Sequence, residues 1–160
     1  MVLKAAAFID GQNLFNNIQR EFAGNDAIDT SLEAFEPDLV ARFIGEHFGL
    51  LAAGVTLDVS DIFFVTGVHD TASIRERRTL KEHAGDEKLA EWATLAASWE
   101  RKLVAMRIRG VHAHRTKLQY RDDVAQEKVT PREQGSLVWL GVEMVLALQK
   151  SDHEVALVFS

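Results

Sequence analysis

The chain has 160 residues and a mass of 17.9 kDa, with 47% hydrophobic and 26% charged residues. That is the size of one globular domain. It buries roughly 70% of the surface its unfolded form exposes, so any metal would serve function and not folding. The absence of cysteine excludes a disulfide framework, thiolate zinc sites and a cysteine nucleophile, and the net charge of −6 argues against holding nucleic acid by bulk electrostatics alone.

The opening, MVLKAAAFIDGQN, reaches an aspartate by position 10. This is too short for a signal peptide's apolar region or for the roughly 20 residues of a membrane span, so the chain reads as soluble and cytoplasmic. Leu3 to Ile9 is a short apolar run closed by Asp-Gly and reads as a buried strand, followed by a helix from Gln12 to Arg20. Pro37 suits the first turn of a second helix, with Val40, Phe43, Ile44, His47 and Leu51 along one face before Gly54. Asp61 to Thr66 is a second buried strand. Asp86 caps a long helix whose Leu89, Trp92, Ala96, Trp99 and Leu103 form a stripe for packing on a sheet. Val104 to Val111 alternates as a third strand, with Arg107 and Arg109 on one face, and Arg121 to Gln134 reads as a mobile polar surface loop. Ser136 to Gln149 is a helix and Glu154 to Ser160 a final strand. Strands separated by helices imply one domain over 1–160, a three-layer α/β/α fold around a mainly parallel sheet.

Charge is segregated along the chain. Glu21 to Asp38 holds six acids and no Lys or Arg, while Arg101 to Arg121 holds seven bases and no acid. Such a pattern can give an acidic protein one positive face suited to a phosphate backbone, or simply a solvated face.

In an open parallel sheet ligands collect at the carboxyl ends of the strands. Asp10 ends the first strand and Asn13 lies in the opening turn of the next helix, so both side chains can converge on one point; the alternative is that Asp10 only caps the helix. Glu143 is the one charged residue between Leu137 and Leu148, in a helix apolar nearly all round. Such helices are buried, and a buried carboxylate must meet a base, a hydrogen-bond donor or a metal, or stay protonated; an arginine is the competing partner. Two carboxylates at the end of a parallel sheet repel unless a divalent cation lies between them, and hard oxygen ligands favour Mg²⁺ or Mn²⁺ and phosphoryl chemistry. His112 and His114 share a strand face without a third ligand at recognisable spacing. Arg75, Arg77, Arg78 and Lys81 follow the second strand in a segment that can touch phosphates. Glycine-rich phosphate loops and the G-x-S-x-G elbow are absent, and D-G-x-N lacks the second aspartate, two residues on, of several phosphatase families.

AAFIDGQNLFNNI resembles the opening of NYN domains, the PIN-like nucleases that include the LabA-like proteins, and EQGSLVWLGVEMVLALQKSDHEVALVFS resembles that family's second signature. The resemblance implies a PIN-like fold and metal-dependent ribonuclease activity, with Asp10 and Glu143 holding Mg²⁺ or Mn²⁺ and Asn13 orienting Asp10 or the ion. It also implies RNA as partner, and the charge pattern makes Arg75, Arg78, Arg107 and Arg109, from the second and third strand regions, the residues on which it would lie. The family turn has an aspartate where this chain has Leu137, and the family's acidic segment after the last strand is not found before Ser160. The alternative is a catalytically inactive PIN-like module that binds RNA or a protein partner. A sheet edge near Ser160 would favour a homodimer.

Overall fold

The structure is a computed structural model that describes the chain apart from residues 77, 124, 127, 134, 151 and 152 and the side chains of 78–81 and 148. The elements run β1 (Val2–Asp10), α1 (Gly11–Glu21), α2 (Pro37–His47), β2 (Thr56–Val68), α3 (Thr71–Arg75), α4 (Arg78–Ile108), β3 (His112–Lys117), β4 (Gln119–Asp123), β5 (Lys128–Arg132), α5 (Ser136–Lys150) and β6 (Val155–Phe159). Four strands form a parallel sheet in the order β3-β2-β1-β6, with β1 central and Asp10 in register with Val65. Ser60 is the extra residue of a bulge in β2, between the pairs Ala5–Val59 and Ala6–Asp61.

The alternation of β1 builds the layers. Ala5, Ala7 and Ile9 face a core shared with Phe15 of α1 and Trp99, Leu103 and Met106 of α4, while Ala6 and Phe8 face Val65 and Leu140 beneath α5. Helices on both sheet faces give the expected three-layer α/β/α arrangement. A satellite cluster of Ile74, Leu89, Trp92 and Val129 fastens the antiparallel β4–β5 hairpin to α4. No described helix is long and apolar enough to cross a membrane.

Four expectations need correction. The segment from Val104 to Val111 is not a strand: α4 continues to Ile108, because Trp99, Leu103 and Met106 carry the buried stripe onward at helical spacing while Val104 and Ile108 are exposed. Gly110, at φ 84°, then ends the helix. Its N–H meets the Arg107 carbonyl and the Val111 N–H meets the Met106 carbonyl, the paired bonds of a Schellman cap, and the strand follows at His112. The stretch from Arg121 to Gln134, read as a loop, holds the end of β4 and the whole of β5, paired as an antiparallel hairpin; Val124, Glu127 and Gln134 lie outside the described residues.

Helix α5 is not buried all round. Leu137, Val138, Val142 and Val145 are exposed, because the sheet covers only one side of it. In α2 the side turned inward is Pro37, Asp38, Ala41 and Gly45, while Val40 and Phe43 are exposed. The helix lies too near β2 for large residues there: a Cβ on Gly45 would come 2.5 Å from a methyl of Val59 and 3.0 Å from the Leu57 carbonyl oxygen.

Candidate functional site

The carboxyl ends of β1, β2 and β3 open on one edge of the sheet, where an open α/β sheet leaves its crevice. Asp10 ends β1 and caps α1, only 1% exposed. Its Oδ1 accepts the Asn13 backbone N–H at 3.1 Å and its Oδ2 accepts the Asn13 Nδ2 at 2.8 Å. The cap and the side-chain pair therefore coexist, and Asn13 fixes the carboxylate plane. The Asp-Gly step follows from packing, since a Cβ on Gly11 would lie 2.1 Å from the Phe64 ring.

Asp10 and Asn13 line a cavity of about 400 Å³ whose opposite wall is Arg132, Glu133 and the first turn of α5, Ser136 to Val138. Glu133, which sequence reasoning missed, is the acid that the fold brings to Asp10. The Ser136 hydroxyl donates to its Oε1, and Thr116 Oγ1 lies 3.2 Å from Ser136 Oγ and 3.4 Å from the Thr66 carbonyl oxygen. Burial pushes the Glu133 carboxyl above the ordinary range and the charge of Asp10 adds to this, against the Ser136 hydroxyl and the Gly67 N–H. The signal in the sequence was an acid three residues ahead of the helix-opening Ser136. Nothing local shows that the hairpin returns it to the end of β1.

The other predicted residues lie elsewhere. Glu143 is half-buried without a hydrogen-bond or ion-pair partner among the described residues, and it does not line this cavity. It follows Val138 by five residues, about 7.5 Å further along the helix axis. Arg107 donates from Nε to the Ala113 carbonyl at 2.9 Å. Arg109 grips Asp38 through Nε at 2.8 Å and Nη2 at 2.7 Å and reaches Glu36 at 2.6 Å, so it serves the acidic segment. Arg75 is exposed on α3, while Arg77 and the side chains of Arg78 and Lys81 lie outside the described residues. His112 stacks on Phe63 at 4.8 Å and His114 on Trp139 at 4.7 Å. Among the described residues no group of three or more His, Asp or Glu is arranged to hold a metal ion.

Beside the cavity a polar hollow of about 120 Å³ is lined by Val68, His69, Asp70, Arg115, Thr116 and Lys117. Lys117 binds Asp70 at 2.8 Å, which with the Ser73 hydroxyl holds that carboxyl down at about 2. His69 stacks on Trp92 at 4.9 Å, with its Nδ1 3.1 Å from the Tyr120 hydroxyl. Burial lowers its pKa from 6.5 to about 4. The unfolded chain therefore holds a proton that native His69 lacks between these values, and its contribution to stability is lost as pH falls from about 6.5 to about 4. Asp70 acts separately, between 3.8 and about 2. Urea titrations across pH 4 to 6.5 should show a shallower slope of stability against pH in His69→Phe than in the parent; equal slopes would refute a neutral buried His69.

No family model, curated protein or solved structure matches the chain.

Proposed function

We propose that the chain is a metal-dependent ribonuclease of the NYN/PIN-like type, with Asp10 and Glu133 as its paired carboxylates and Asn13 as the residue that orients Asp10. The observation that carries this reading is the meeting of Asp10, Asn13, Glu133 and Ser136 in one cavity at the carboxyl end of a parallel sheet. The donor set fits Mg²⁺ or Mn²⁺: it is all oxygen, and one or two carboxylates completed by substrate phosphate is a common way to hold magnesium. Bound there, such an ion would acidify a water and neutralise charge on the scissile phosphate.

The chain's own groups have separable tasks. Asn13 locks the Asp10 carboxylate through Nδ2, so that its orientation does not have to be found during the reaction. Glu133, held in place by the Ser136 hydroxyl, supplies the second carboxylate that would hold the ion beside Asp10. Arg132 on the cavity wall supplies positive charge for a phosphate. The cysteine-free composition is compatible with a cytoplasmic setting.

A mixed pool of single-stranded and hairpin RNA with Mn²⁺ tests the reading. Cleavage by the parent is expected to fall roughly 100-fold or more in Asp10→Asn and in Glu133→Gln, the scale of losing a positioned acid–base or charge-stabilising group. Glu143→Gln should stay within a few-fold of the parent. Undiminished cleavage by Asp10→Asn overturns the assignment, and RNA binding without cleavage by the parent favours the inactive binding module.

A further inference from the structure

Six of the seven bases in the segment that looked like a nucleic-acid face have a polar partner within the protein. Arg101 binds the Ser98 hydroxyl, Lys102 binds Glu36, Arg107 a carbonyl, Arg109 binds Asp38 and Glu36, Arg115 binds Glu100, and Lys117 binds Asp70. Arg121 alone of that segment has no such partner among the described residues, and it lies on β4 of the hairpin.

The β4–β5 register sorts the hairpin into two faces. Tyr120 pairs with Pro131 and Asp122 with Val129, and this face is anchored: Val129 is 1% exposed, Tyr120 packs on Trp92, and Asp122 binds His83 at 2.6 Å. The opposite face pairs Gln119 with Arg132, Arg121 with Thr130 and Asp123 with Lys128. Arg121, Lys128 and Arg132 are exposed there with no ion-pair partner among the described residues. Asp123 is the one acid of the two strands on that face, and its Oδ1 is occupied by the Gln126 N–H; Glu127 lies outside the described residues.

The row has a direction. Arg132 lines the cavity that holds Asp10 and Glu133, and Lys128 lies four residues away along β5, about 14 Å at the rise of an antiparallel strand. The ribbon is only two strands, about 5 Å, wide. A narrow line of cations that ends at an acidic cavity suits a single polyanionic strand better than the broad face of a duplex.

We infer that the exposed face of the β4–β5 hairpin is the track on which single-stranded RNA lies, with Lys128 and Arg121 holding the phosphates that lead to Arg132 and the cavity. This rests on the ribonuclease reading for what happens at the end of the track. The anchored face makes the ribbon a preformed platform, so binding requires little ordering of the protein.

Anisotropy with a labelled single-stranded RNA in a chelating, metal-free buffer separates binding from cleavage. Arg121→Gln/Lys128→Gln, which leaves the cavity wall intact, is expected to weaken binding roughly tenfold near 0.1 M salt and to reduce the slope of log affinity against log salt by about 1.4, the value for losing two phosphate contacts on a single strand. Arg20→Gln/Arg101→Gln, a control of equal charge change, should leave affinity within twofold. Equal losses in the two pairs would overturn the track, as would tighter binding of a duplex of the same sequence. With Mn²⁺, the hairpin pair should raise KM for long RNA and spare a dinucleotide substrate. Absence of all cleavage by the parent defeats the ribonuclease reading alone, whereas cleavage of long RNA unchanged by the hairpin pair defeats the track alone.

Discussion

Trp99→Ala is expected to lower stability by about 3–5 kcal/mol, a large share of the roughly 5–15 kcal/mol that holds a domain folded. Trp99 is 1% exposed where α4 meets the sheet, and its ring makes edge contacts with Phe15 at 5.7 Å and Phe35 at 6.0 Å while Phe64 lies tilted at 6.2 Å. These partners come from α1, β2 and the segment ahead of α2, so no one element can move to close the void. The corresponding fall in melting temperature is roughly 6–20 °C for a chain of this size. Trp139, partly buried and stacked on His114 at the start of α5, is the comparison. If Trp139→Ala destabilises as much as Trp99→Ala in thermal melts, the placement of the main core is wrong.

Arg109→Leu is expected to cost about 3–5 kcal/mol, because it strands a buried carboxylate. Asp38 is 0% exposed and takes both oxygens' bonds from Arg109, whose raised pKa reflects first that hydrogen-bonded pairing. The penalty belongs to the orphaned charge more than to the bond. The double variant Arg109→Leu/Asp38→Leu should therefore be more stable than Arg109→Leu alone in denaturant titrations. Under the proposed function, at a temperature where Arg109→Leu remains folded, its affinity for RNA should match that of the parent. A folded variant with intact stability and weakened RNA binding would return Arg109 to the role its sequence neighbourhood suggested.

Asp10 and Asn13 were legible because their relation is local: a strand-ending aspartate and a residue one helical turn on meet whatever the rest of the chain does. The strands β1, β2 and β6 and the stripe of α4 were legible for the same reason, since apolar runs and 3.6-residue periods survive without tertiary context. The third strand failed because Val104, Met106 and Ile108 alternate and also sit at positions a helix can use; only the core around Trp99, Leu103 and Met106 chose between the two periods.

The pairing of charges was beyond local reach. Arg109 and Asp38 are 71 residues apart, and an unpaired sequence cannot show that one guanidinium is spent on a buried acid. Glu133 was equally hidden, because its meeting with Asp10 depends on a hairpin that the polar composition of Arg121 to Gln134 masked. By itself the sequence determined the layered α/β architecture and the Asp10–Asn13 pair of the candidate site, both matters of short-range periodicity and turn chemistry. Only the tertiary structure decided which second carboxylate faces Asp10 and which cations remain available to a ligand, because both are set by contacts between segments that the chain's order keeps far apart.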